Sequence, residues 1–200
     1  EHINKQEYRN AIIFYKEAIH HFHNDLTSLN NLGLAHIKLD LYGEGKQFIV
    51  RALEISSDVP QILNNYSLIL KYEGKLEECE KILKETISKN PNYLSAKNNL
   101  GLLYIDNKEY SKALLIFNEI LKIDPMFFDA YQSISKILNK IKDYKKAIQV
   151  SEKAVSKFPD LSFPYNSMGI SYYKLGDFVS SIKSLKHAVN LNQNNEKAYN

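Results

Sequence analysis

The chain has 200 residues, 44% of them hydrophobic and 24% charged, the balance of a folded water-soluble protein. Its net charge of +3, carried by lysines scattered singly or in pairs, argues against a nucleic-acid partner and against an electrostatic membrane anchor. No stretch approaches the roughly twenty consecutive apolar residues that cross a bilayer, and the single cysteine, Cys79, excludes an internal disulfide.

In chain order, residues 1–25 carry Tyr8, Ala11, Tyr15 and Ala18 at helical spacing, the second helix of a partial repeat. Five complete copies of one unit follow, at 26–59, 60–93, 94–127, 128–161 and 162–195. Residues 196–200 open a further helix with Tyr199 in a large slot. The block 94–127 displays the unit. A first helix is predicted from Leu94 to Asp106, with Lys97, Leu100, Gly101 and Tyr104 on one stripe. A turn at Asn107, Lys108 and Glu109 leads to a second helix from Tyr110 to Lys122, with Ala113, Phe117, Ile120 and Leu121 inward. Asp124 and Pro125 end it, because proline lacks the amide donor and forces its predecessor out of helical geometry.

Three columns recur every 34 residues without insertion or deletion: Gly33, Ser67, Gly101, Ser135 and Gly169; Tyr8, Tyr42, Leu76, Tyr110, Tyr144 and Phe178; Ala11, Gly45, Cys79, Ala113, Ala147 and Ser181. Such a period marks an array whose units pack only on their neighbours and offer an extended surface instead of a catalytic pocket. The small slots let neighbouring helices approach closely, and Cys79 fills one of them as a packing residue. The phase cuts the chain inside a repeat at both ends, so the parent protein is expected to continue beyond each.

Leu100, Gly101, Tyr104, Tyr110, Ala113, Phe117 and Pro125 reproduce in order the pattern of the tetratricopeptide repeat. Tyr165, Gly169, Tyr172, Gly176, Phe178 and Ala188 match it again, as do Tyr131, Tyr144, Ala147, Ala154 and Pro159, and the resemblance covers essentially the whole chain. It implies an all-α, right-handed superhelical solenoid of antiparallel helix pairs, first helices on the concave side and second helices on the convex side. Departures are Gly45 at an alanine slot, expected to weaken its helix by about 1 kcal/mol, and His36 at an aromatic slot. His23, Ser57 and Gln193 replace proline, and Lys97 takes a large apolar slot with its head expected to reach water.

Half a turn from the packing stripe, the first helices offer Asn30, Asn31, Leu34, Ile37 and Lys38; then Asn64, Asn65 and Leu68; then Asn98, Asn99, Leu102 and Ile105. The next two offer Gln132, Ser133, Lys136 and Asn139, then Asn166, Ser167, Ile170 and Tyr173. Carboxamides provide donors and acceptors for the backbone of an extended peptide, and the aliphatic column, interrupted by Lys136, suits its apolar side chains. The arrangement resembles the asparagine ladder of O-linked N-acetylglucosamine transferases. An equally open reading has these amides bonding neighbouring protein groups. The Lys, Asn and Arg clamp of chaperone-binding members is matched only at Asn65; the other slots hold Asn30, Leu34, Ser95 and Asn99.

His20, His21 and His23 sit at a helix end near Asp25 and are expected to serve no metal; no nucleophile–base set or phosphate loop is present. The expectation is a non-catalytic, cofactor-free, cytoplasmic protein-interaction scaffold that binds an extended peptide or a partner's helix in its concave groove, with no nucleic acid and no membrane. The alternative is the substrate-recognition arm of a larger glycosyltransferase or sulfotransferase. Self-association through exposed solenoid ends is a further expectation.

Overall fold

A computed structural model describes the backbone of residues 2–198 and the side chains of residues 5–192. The described elements are eleven α-helices: α1 (His2–His21), α2 (Leu26–Lys38), α3 (Tyr42–Ile55), α4 (Pro60–Tyr72), α5 (Leu76–Lys89) and α6 (Leu94–Asp106), followed by α7 (Tyr110–Ile123), α8 (Phe128–Lys140), α9 (Tyr144–Lys157), α10 (Ser162–Lys174) and α11 (Phe178–Ala198). Even-numbered helices from α2 to α10 lie where the first helices of the repeats were expected, and each is followed by the helix expected second.

The chain divides into two compact units, Glu1–Leu103 and Tyr104–Asn200, with the division inside α6. In the first unit α2 packs on α1 and α3, and α4 packs on α2, α3 and α5. Leu29, Ile37, Ile49, Ala52, Ile62 and Ile69 form its core, so Ile37, expected on the groove face, is a packing residue. In the second unit α8 packs on α7 and α9, and α10 packs on α8, α9 and α11. Phe117, Ile120, Ala130, Ala147 and Ala154 are among its most buried apolar side chains. Full burial of a side chain such as Phe117 or Ile49 stabilises by about 1.5–3 kcal/mol.

The helix boundaries have local causes. Asp25 caps α2 by accepting a bond from the Ser28 amide at 2.9 Å. Asp143 does the same for α9 from Lys146, and Asp177 for α11 from Ser180 at 3.0 Å. Pro60 opens α4, where its missing donor is harmless. After α7, Asp124 is extended ahead of Pro125 and accepts a bond from the Met126 amide at 2.8 Å. Between each first and second helix one residue is left-handed: Asp40, Gly74, Lys108, Lys142 and Gly176, with φ of 63°, 75°, 62°, 66° and 82°. This column has the period of the repeat, and only two of its members are glycines.

Several expectations change. Gly45 is required by packing, because a Cβ there would lie 2.9 Å from the Gly33 carbonyl oxygen and 3.1 Å from Ile37 Cγ1. Lys97, expected to reach water, is buried to 7% exposure. His36 is buried against Phe48, with its Nδ1 2.8 Å from the Leu32 carbonyl. α1 begins at His2, so the residues before Tyr8 extend that helix. α11 continues unbroken to Ala198, where a junction after Asn195 and a new helix from Glu196 were expected. No proline or glycine interrupts it, and Gln193 stands where Pro125 and Pro159 close earlier repeats. Tyr199 and Asn200 lie outside the described residues, as does the side chain of Gln193.

Candidate functional site

In the first unit the two asparagine columns interlock. Asn65 Nδ2 donates to Asn30 Oδ1 at 2.8 Å, and Asn99 Nδ2 donates to Asn64 Oδ1 at 2.8 Å. Each bond ties a first helix to the first helix one repeat earlier. Asn31 Nδ2 donates to the Tyr15 hydroxyl on α1 at 3.2 Å. Asn30 Nδ2 reaches Asn31 Oδ1 at 3.4 Å. Asn64 and Asn65 are correspondingly buried, at 8% and 5% exposure. Asn98 Oδ1 is a buried side-chain oxygen with no hydrogen-bond partner among the described residues.

These bonds occupy one carboxamide acceptor on Asn30 and Asn64 and one donor on Asn65 and Asn99. An amide has two donor hydrogens and two acceptor lone pairs, so the interlock leaves capacity on each. Beside them Leu34 and Leu68 are half-buried and Leu102 is exposed. The first unit therefore presents an aliphatic line flanked by amides whose orientations are already set.

The second unit uses different chemistry at the same slots. Serines replace the inner asparagines, and Ser133 and Ser167 are buried. Asn139, grouped with the groove residues by its spacing, is a cross-link. Its Nδ2 donates to the Ser135 carbonyl at 3.1 Å and to Ser167 Oγ at 3.3 Å, and its Oδ1 accepts from Ser171 Oγ at 2.8 Å. That fastens α8 to α10. Gln132 is half-buried, while Lys136, Asn166, Ile170 and Tyr173 are exposed. Tyr173 meets Phe178 edge-on at 5.7 Å, with Lys174 Nζ 5.8 Å from its ring.

Between α8 and α10 lies a hollow of about 370 Å³, bounded by Lys136, Lys140, Phe163, Asn166 and Ile170. Lys140 and Phe163 were not singled out from the sequence. Lys140 had a signal, standing one helical turn beyond Lys136. Phe163 had none, because a first-turn position on one helix reaches a partner only through packing. A second hollow, about 590 Å³, lies between α10 and α11 and includes Tyr165, Met168 and Tyr172. Those residues occupy the slots of Tyr131, Ile134 and Leu138, which are buried in the preceding repeat.

Elsewhere several ionisable groups serve the fold. Asp25, the cap of α2, is held below its ordinary pKa by the bonds from Ser28. Glu73 is held down by Lys46 and Lys75, which both pair with it. His23 Nδ1 lies 3.0 Å from the Ile19 carbonyl. Cys79 is buried, its thiol donates to the Ser67 carbonyl at 3.2 Å, and burial pushes its pKa up to about 11. No helix among the described residues is long and apolar enough to cross a membrane.

A family model for the tetratricopeptide repeat matches residues 26–59, 94–125, 128–160 and 164–195. A tetratricopeptide repeat protein 21 homolog from Caenorhabditis elegans is 29% identical over 86 residues, 43% of this chain and 6% of that protein, so this chain spans only a small part of that relative. Among solved structures, a MamA RS-1 double mutant superposes with a TM-score of 0.72 at 16% identity, covering 86% of this chain and 97% of the other. A fragment of MamA from Desulfovibrio magneticus RS-1, residue 41 to its end, gives 0.71 at 15% identity, covering 84% and 96%. A further MamA crystal structure gives 0.70 at 18% identity, covering 86% and 94%. These likenesses speak to the fold alone. With the family model matching well over half of its residues, the chain belongs to the tetratricopeptide repeat family.

Proposed function

We propose that the first-helix faces are the ligand surfaces and that each holds an extended segment of a partner protein. Family membership makes the chain a protein–protein interaction scaffold. The observation that carries the finer reading is the line of Leu34, Leu68 and Leu102, repeated at 34 residues and left partly open beside amides locked by the Asn65–Asn30 and Asn99–Asn64 bonds. Core slots on the same helices, such as Leu29, Leu32 and Ile62, are fully covered, whereas Leu34 and Leu68 keep open area, Leu68 while also packing against the core. Preset amides lower the ordering cost of gripping a peptide backbone.

Fluorescence anisotropy with a labelled peptide of alternating Leu and Gln tests this. Truncating Leu34 and Leu68 to alanine together is expected to weaken binding about tenfold, as two partly buried anchors would. Unchanged affinity in a double variant of wild-type helicity would remove this face as the site. An Asn64→Ala variant is the poorer probe, because it also strips Asn99 of its acceptor.

A further inference from the structure

We infer that the hollow between α8 and α10 selects a carboxylate: its ligand is an acidic side chain of a partner peptide next to an apolar residue. The inference rests on the first-helix faces being ligand surfaces and names the chemistry one of them takes.

The first observation is a break in a column. The slot held by Leu34, Leu68, Leu102 and Ile170 holds Lys136 in this one repeat, and Lys140 follows one turn later on the same face. Both border the hollow, and neither makes an ion pair with any described residue. Unpaired lysines on a solvated face would be unremarked. These two instead share a concave space with Phe163 and Ile170, and Ile170 is 43% exposed.

The second observation is order. Lys136 Nζ stands 5.7 Å from the Phe163 ring centre, a cation–π contact that restrains a long side chain before any ligand arrives. The Asn139 cross-link to Ser167 and Ser171 fixes the spacing of the two helices beneath it. Asn166, exposed on the α10 side, adds an amide donor to the two ammonium groups.

The third observation is the distribution of charge. Of the chain's 23 acidic residues, the five first helices carry two, Asp106 and Asp129, against Lys38, Lys71, Lys97, Lys136, Lys140 and Lys174. Within α8 and α10 the acid is Asp129 alone, in the first turn of α8. A face kept clear of carboxylates, with two ammonium groups and an amide over apolar ground, is complementary to an incoming carboxylate. A cation would find no carboxylate among the residues that line it.

The test uses the 200-residue chain and three labelled peptides of equal length, alternating Leu with Glu, Gln or Lys, read by anisotropy. The Leu-Glu peptide should bind about tenfold tighter than Leu-Gln, the gain of one charge-assisted contact over a neutral one. Raising the salt should erode that margin as the Debye length falls below about 10 Å. Lys136→Glu with Lys140→Glu should abolish the preference and favour Leu-Lys; the glutamine pair, K136Q with K140Q, should abolish it without reversal. Equal binding of Leu-Glu and Leu-Gln would overturn carboxylate selection and leave the ligand-face reading standing. No binding of any peptide would overturn both. Tighter binding of a single-stranded oligonucleotide than of Leu-Glu would also overturn it, by showing phosphate as the favoured anion.

Discussion

Gly45 shows how one residue's local preference and its packing can oppose each other. Helix propensity alone says that alanine there gains about 1 kcal/mol. The Cβ would press on the Gly33 carbonyl oxygen, a backbone atom that cannot rotate away, and overpacking of this kind costs about 1–3 kcal/mol. Gly45→Ala is therefore expected to lower the urea midpoint, and a raised midpoint would show that α2 and α3 separate freely. Cys79 is a second case. Its folded pKa of about 11 exceeds the ordinary 9.0, so the folded chain keeps a proton that the unfolded chain releases. Stability falls as pH rises from about 9 towards about 11, and is untouched by this group below that window. The buried thiol should resist iodoacetamide at pH 8 until urea unfolds the chain; native labelling at the unfolded rate would contradict its burial.

The turns keep the same period as the helices. Asp40, Gly74, Lys108, Lys142 and Gly176 all adopt positive φ, and for the two lysines this backbone carries a steric penalty that glycine avoids. Lys142→Gly should raise the thermal midpoint, by about 0.5–1 kcal/mol of stability, despite the greater freedom glycine brings to the unfolded chain. Lys142 borders no proposed ligand face, so peptide binding should be unchanged. A lowered midpoint in differential scanning calorimetry would mean that the turn is unstrained. The cap column is uneven in the same way: Asp143 and Asp177 cap α9 and α11 with their side chains, whereas Leu41, Lys75 and Glu109 make no side-chain cap bond.

Across the molecule the energetic unit is the neighbouring pair of helices, because each repeat buries its apolar face only against the next. Phe117→Ala, at a fully buried position on α7, should cost about 3–5 kcal/mol. Amide hydrogen exchange should then quicken in α7, α8 and α9 while α11 keeps its wild-type protection. A uniform rise throughout the second unit would instead indicate a single cooperative core. Much of this was legible beforehand. The spacing of Leu100, Gly101 and Tyr104, and of Tyr110, Ala113 and Phe117, placed α6 on its observed bounds and α7 to within a residue at its end. Helix period and proline or glycine punctuation are properties of a few consecutive residues, and they can be read from the chain. The end of α11 was misplaced because Gln193 carries no such punctuation. Which polar groups meet is a different matter. Asn65 reaches Asn30, Asn139 holds Ser167, and Lys136 stands over Phe163, each about one repeat distant along the chain. Those pairs exist only once helices have packed, and the packing alone made one asparagine column a strut and turned an interruption in an aliphatic line into part of a charged hollow.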